Sequence, residues 1–166
     1  MRCAACRRRT LSWLLPRSRT NSMEIAAVTC LFLLVATTFI HYEVLRLLSA
    51  LLPTLRVQPR LQLVFVIFGA FAAHFTEILL YGGAYYLLAT AFGVGSMGEP
   101  GHLPFTRCLY FSAETYTTLG YGDVLPHGDL RLLAGLEALN GMLLIGWTAS
   151  YTYLSMERFW GRGRDA

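Results

Sequence analysis

The chain has 166 residues, of which 55% are hydrophobic and 14% charged, against about 25% charged in a soluble domain. With a mean hydropathy of +0.47, this describes a membrane protein of one compact unit and excludes an ordinary soluble enzyme. All 14 basic residues are arginine, and six of them (Arg2, Arg7, Arg8, Arg9, Arg17, Arg19) fall in an acid-free stretch before Met23, leaving 14 − 6 = 8 against 10 acids elsewhere; the formal charge of +4 thus belongs to a tail, not to a nucleic-acid-binding face.

Residues 1–22 read as a basic N-terminal tail, disordered or not translated. Its Cys3-Ala4-Ala5-Cys6 supplies only two of the four ligands of a structural zinc, and Cys30 and Cys108 stand alone in apolar segments, so no disulfide framework is expected. Ile25 to Ile40 carries no formal charge and extends through His41-Tyr42 to about 20 residues, enough to span ~30 Å of hydrocarbon. Residues 23–60 are therefore an extra transmembrane helix and its connection, with Pro53 and Pro59 at the bend. Leu61 to Phe92 is a longer apolar run whose one formal charge is Glu77. Ala138 to Ser155 is uncharged again, within an inner helix that begins near Leu130.

Phe105 to Thr117, behind Pro104, is different. At 1.5 Å per residue it reaches only about 20 Å and runs into a glycine-rich stretch. Irregular backbone at membrane depth is tolerated only where protein buries it or it lines a watery path. The expected fold is an all-α membrane protein: three transmembrane helices, a re-entrant pore helix and a filter loop. The pore domain covers 61–157, as outer helix 61–92, pore helix 104–117, filter 118–123 and inner helix 129–157, with a short cytoplasmic tail at 158–166.

Arginine placement sets the orientation. The first connection holds Arg46, Arg56 and Arg60, and the C-terminal tail Arg158, Arg162 and Arg164. The segments flanking the short helix hold Glu99, Asp123 and Asp129 and no arginine. The C-terminus and first connection are expected in the cytoplasm and the re-entrant loop outside. Three crossings then place the basic N-terminus outside as well, against the rule. Translation from Met23, a cleaved signal sequence and a plain violation of the rule all remain open.

The chemistry sits in Thr117-Thr118-Leu119-Gly120-Tyr121-Gly122-Asp123. Rings of backbone carbonyls can replace the water around K⁺ if successive C=O groups point at one axis. Gly120 and Gly122 can take positive φ at little cost. Thr118 adds a hydroxyl at the inner end, while Leu119 and Tyr121 turn their side chains behind the carbonyls. The candidate K⁺ ligands are the carbonyls of Thr118, Leu119, Gly120 and Tyr121, within a conducting stretch that ends at Gly122.

The run from Tyr110-Phe111-Ser112-Ala113-Glu114-Thr115-Tyr116 through this motif resembles the pore region of the small bacterial two-helix potassium channels, over roughly Leu61 to Met156. The resemblance implies a homotetramer, since one filter strand per chain needs four chains to close the ring. It also implies that Glu114 and Asp123 form the carboxyl pair behind such filters, with Arg131 a candidate balancing charge, and that four pore-helix C-termini aim their partial negative charge at a central cavity. Leu119 departs from the usual valine, and Tyr110 and Phe111 stand where many relatives carry two tryptophans. Tyr121 must therefore lean on Thr115 or on packing, and filter rigidity is in question. Glu114, Thr115, Thr117 and Asp123 are the supporting residues.

Gly141 lies near the point where the relatives bend to open; hinge and close packing are equal readings there, whereas Gly135 and Gly146 read as packing. No arginine repeat marks a voltage sensor, and eight residues after Arg158 leave no attached ligand-sensing domain. The first helix lies outside the resemblance. An antiparallel hairpin through Pro53 and Pro59 would bring His41, Glu43, His74 and Glu77 to similar depth, His74 and Glu77 sharing a face at i, i+3. The cluster is either a proton- or metal-responsive site or a hydrogen-bonded joint between two helices.

The sequence thus predicts a K⁺-selective channel, not an enzyme, in a bacterial plasma (inner) membrane. It needs no cofactor beyond the transported K⁺, and its partners are itself and lipid, not nucleic acid. A weakly selective cation channel, a non-conducting regulatory subunit and a membrane enzyme built on the His/Glu cluster are the alternatives.

Overall fold

The computed structural model describes residues 19–54, 58–98 and 103–161. Its helices are α1 Arg19–Leu51, α2 Pro59–Thr90, α3 Phe105–Tyr116 and α4 Leu130–Gly161, with a 3-10 turn at Leu52–Thr54. Three of them, α1, α2 and α4, are long and apolar enough to cross a membrane; α3, with 12 residues, is too short. The chain is an all-α membrane protein with a short helix held between its spans.

Local chemistry sets the helix limits. No glycine or proline interrupts residues 19–52, so α1 runs 33 residues and yields only at Pro53. It starts at Arg19, four residues before Met23, where the sequence predicts tail. Pro59 opens α2 behind Gln58 as N-cap, a position where a missing N–H loses nothing. Pro104 is the N-cap of α3 rather than its first residue. The inner helix α4 continues to Gly161, past the expected end at 157. Residues 1–18, Arg56, Glu99 and 162–166 lie outside the described residues, and with them most of the basic tail, the Cys3/Cys6 pair and the end of the C-terminal tail.

Hydrogen bonds and glycine contacts set the helix directions. α1 is antiparallel to α2: His41 meets Glu77, and Gly69 admits Leu48, whose Cδ1 would lie 2.8 Å from an added Cβ. α3 doubles back along α2, with Ser112 Oγ donating to Ile78 O at 2.9 Å and Gly82 seated against Leu109. α1 and α4 run parallel, joined by Ser22 Oγ to Asp129 Oδ2 at 2.6 Å and Asn140 Nδ2 to Thr37 Oγ1 at 2.8 Å. The start of α1 therefore shares an end with the α3–α4 connection, as three crossings require.

Helix periodicity does not foretell the antiparallel ribbon between β1 Gly95–Met97 and β2 Pro126–Gly128, in register Gly95↔Gly128 and Met97↔Pro126. It ties the segment entering α3 to the segment leaving the loop. Gly95 faces the His127 carbonyl too closely for any side chain, and Gly128 has φ +68.

The buried core joins Cys30 and Leu33 of α1, Tyr81 and Tyr85 of α2, Cys108, Phe111 and Tyr116 of α3, and Leu133 of α4. Phe32, Phe39, Phe68 and Phe71 stay exposed, an apolar surface that water would not tolerate but lipid or another subunit would.

Candidate functional site

Residues 117–123 leave the helix and lie exposed on the surface of the single chain. Their backbone alternates in hand. Thr118 (φ 58), Gly120 (φ 58) and Gly122 (φ 79) take positive φ, while Leu119 and Tyr121 between them do not. A β-branched residue in that region is a true outlier, costing about 1–2 kcal/mol, and such strain collects at functional segments. The sequence marks the two glycines; nothing in a threonine announces the third position.

Glu114 holds this conformation. Its carbonyl accepts the Leu119 amide at 2.8 Å and the Gly120 amide at 3.3 Å, and its side-chain Oε2 accepts the Tyr121 amide at 3.2 Å. Thr118 N–H donates to Thr115 O at 3.0 Å. Four consecutive N–H groups thus turn back toward the end of α3. Each N–H lies opposite the C=O of the preceding residue across a trans peptide, so the carbonyls of residues 117–120 face away from the end of α3, and no backbone N–H among the described residues outside the helices and strands donates to them.

Glu114 is buried. Burial pushes its carboxyl above the usual carboxylate range, the Asp123 charge adds to this, and the Tyr121 amide partly offsets both. The two carboxyls interact, yet each bonds elsewhere: Asp123 Oδ1 accepts the Tyr110 hydroxyl at 3.3 Å. Tyr110 thereby supplies a donor to Asp123, a role the sequence reading passes over. Phe111 packs edge-on against Tyr85, with centroids 5.0 Å apart. The Tyr121 side chain is 69% exposed and bonds to no described group, Thr115 included. Thr117 Oγ1 bonds back to Ala113 O at 2.8 Å. Arg131 Nε donates to Pro126 O at 3.2 Å, so it braces the backbone after the loop.

Two polar clusters hold α3 from behind. In the first, His41 Nδ1 lies 2.9 Å from Glu77 Oε1 and His74 Nδ1 3.2 Å from Glu77 Oε2. The Tyr116 hydroxyl donates to Glu77 Oε2 and lies 2.8 Å from His74 Nδ1. Thr148 Oγ1 reaches both Nε2 atoms, at 3.1 Å for His41 and 3.0 Å for His74. Three of the four predicted residues thus meet. Glu43 does not, which corrects the predicted quartet: two positions beyond His41 is about 200° around a helix, and Glu43 pairs with Arg46 at 2.7 Å on the surface instead. Tyr116 and Thr148, unmarked in the sequence, complete the cluster and extend it to α3 and α4.

The second cluster lies outside the candidate residues of the sequence. Glu137 of α4, fully buried, accepts the Tyr85 hydroxyl at 2.6 Å and the Ser112 hydroxyl at 2.5 Å, joining α2, α3 and α4. One turn further, Asn140 bonds Thr37 and Tyr81 at 3.2 Å. Gly141 then presents its bare backbone to the Tyr116 carbonyl, where a Cβ would overlap, whereas Gly135 and Gly146 have no such neighbour within 4 Å. Close packing is thus observed at Gly141 and, within one chain, not at the other two.

Residues 63–157 match a family model described as an ion channel. That is more than half of the chain, which belongs to this ion channel family. A 55-residue stretch, 32% of the chain, is 44% identical to the inward rectifier potassium channel Kirbac3.1 of Paramagnetospirillum magnetotacticum and covers 19% of that protein. The match therefore spans about a fifth of this relative's length. No solved structure matches the chain.

Proposed function

We propose that four copies of the chain surround a common axis and pass K⁺ selectively through stacked carbonyl rings of Thr118, Leu119, Gly120 and Tyr121, Gly122 closing the outer end. The alternating backbone hand at Thr118, Gly120 and Gly122 carries this reading: it turns successive carbonyls to one side, as a substitute hydration shell requires. Likeness to a potassium channel over part of the chain supports the choice of ion. Glu114, Thr115, Thr117 and Asp123 hold the loop, and the channel performs no chemical catalysis and uses no cofactor. It sits in a bacterial inner membrane with the C-terminus cytoplasmic and the loop outside. Bending at Gly141 separates α4 from the Tyr116 carbonyl and so couples the inner helix to the base of the loop.

The test is flux from liposomes holding the purified protein and a K⁺ gradient. K⁺ efflux that external Ba²⁺ blocks and that stops when Na⁺ replaces K⁺ is the expected result. Flux indifferent to the cation supports a weakly selective channel, and no flux supports a non-conducting subunit.

A further inference from the structure

If both imidazoles are neutral, as metal ligation requires, the contacts around His41, His74 and Glu77 outnumber the hydrogens available to them. With both imidazoles neutral and Glu77 ionised, the cluster owns four polar hydrogens: one on each imidazole, one on Tyr116 and one on Thr148. Six contacts link these groups. Even if a His74 Nδ1–H is shared between Glu77 and Tyr116, one contact lacks a hydrogen. If Thr148 acts as an acceptor for both rings, three contacts lack a hydrogen: both imidazole–carboxylate contacts and that of His74 with Tyr116. A hydroxyl oxygen has two lone pairs, and Thr148 Oγ1 is almost equidistant from both Nε2 atoms. With both Nε2 atoms protonated and donating to it, both Nδ1 lone pairs are bare and converge on Glu77.

We propose that His41, His74 and Glu77 form a binding site for a divalent transition cation of the zinc type. The ligand atoms all lie within 4.8 Å of one another. The 2.9 Å and 3.2 Å separations from Nδ1 to carboxylate oxygen compare with about 3.3 Å between tetrahedral ligands at zinc–ligand lengths of ~2.0–2.1 Å. Two imidazoles and a carboxylate suit a borderline cation, with water in the fourth position as in open zinc sites. The surroundings have the form of a ligand-orienting shell: Thr148 fixes both rings through their far nitrogens, and Tyr116 donates to the carboxylate. His41 and Glu77 are fully buried, and the His74 side chain keeps 17% exposure, which makes it the point of entry. Bound there, the ion ties α1 to α2 and, through Tyr116, to the residue immediately before the filter motif.

The full-length protein in detergent, stripped with a chelator and titrated with Co²⁺ alone, tests this without any measurement of current, so its outcome is independent of the conduction reading. The expected result is a tetrahedral Co²⁺ absorption spectrum saturating at one ion per chain, without sulfur charge-transfer bands, and abolished by Zn²⁺. His41→Gln and His74→Gln each remove the spectrum. Thr148→Val weakens binding about 10- to 100-fold, and Glu43→Gln leaves it unchanged. A wild-type protein without the spectrum would mean that shared hydrogens alone hold the cluster, which overturns the proposal. A spectrum that survives both histidine substitutions, or shows thiolate bands from Cys3 and Cys6, overturns it too. Should the histidine variants fail to give monodisperse protein, an unchanged affinity in Thr148→Val is decisive against it.

Discussion

Tyr85 and Glu137 offer the sharpest energetic test of how the short helix is held. Ser112 keeps a second acceptor in Ile78 O if Glu137 is removed, but among the described residues the fully buried Tyr85 hydroxyl bonds only to Glu137. Glu137→Leu should therefore orphan one buried donor per chain. An unsatisfied buried hydroxyl costs about 1–3 kcal/mol, and hydrogen bonds between membrane helices contribute about 0.6 kcal/mol on average, with a maximum near 1.7. Tyr85→Phe weakens the wild type by removing a bond, yet in the Glu137→Leu background it removes the orphan. The double-mutant cycle should thus show a coupling of about 1–2 kcal/mol per chain. Thermal or denaturant unfolding of the purified oligomer measures it. A coupling near zero, with Tyr85→Phe equally costly in both backgrounds, would refute the clamp.

Four further substitutions test the same geometry. Gly120→Ala forces a side chain into positive φ at about 1–2 kcal/mol per chain, so K⁺ flux should fall steeply while the oligomer, followed by size-exclusion chromatography, persists. Gly141→Ala drives a Cβ into the Tyr116 carbonyl and should lower stability by about 1–3 kcal/mol. Gly146→Ala, with open space around it, should stay within about 0.5 kcal/mol in the same unfolding assay. Tyr110→Phe removes one exposed 3.3 Å bond to Asp123; unfolding should shift by less than about 1 kcal/mol, whereas single-channel records should show shorter openings.

The loop is legible because its backbone geometry dictates residue type: glycine at 120 and 122 is a consequence of positive φ. Thr118 shows the limit, since its left-handed conformation goes with its own amide's bond to Thr115 O and the following amides' bonds to Glu114, which no local preference reveals. Counting residues from the hairpin bend brings His41 to His74 and Glu77, because antiparallel helices conserve depth, but depth says nothing about face, and Glu43 fails there. Tyr116 and Thr148 escape notice because hydroxyls in apolar helices resemble core or lipid-facing residues until their partners are known. Glu137 could have been found: a carboxyl inside the helix predicted over 129–157 is itself a signal, missed when the uncharged run is counted from Ala138. The ribbon at 95–97 and 126–128 is too short to leave any period.

Selectivity is the central claim, and the reversal potential of the purified protein in a planar bilayer measures it directly. With K⁺ tenfold higher on one side and Na⁺ balancing the other, the current should reverse close to the K⁺ equilibrium potential, about 59 mV for a monovalent ion. Reversal near zero would mean that the loop does not distinguish the two cations, and the carbonyl-ring account would be wrong.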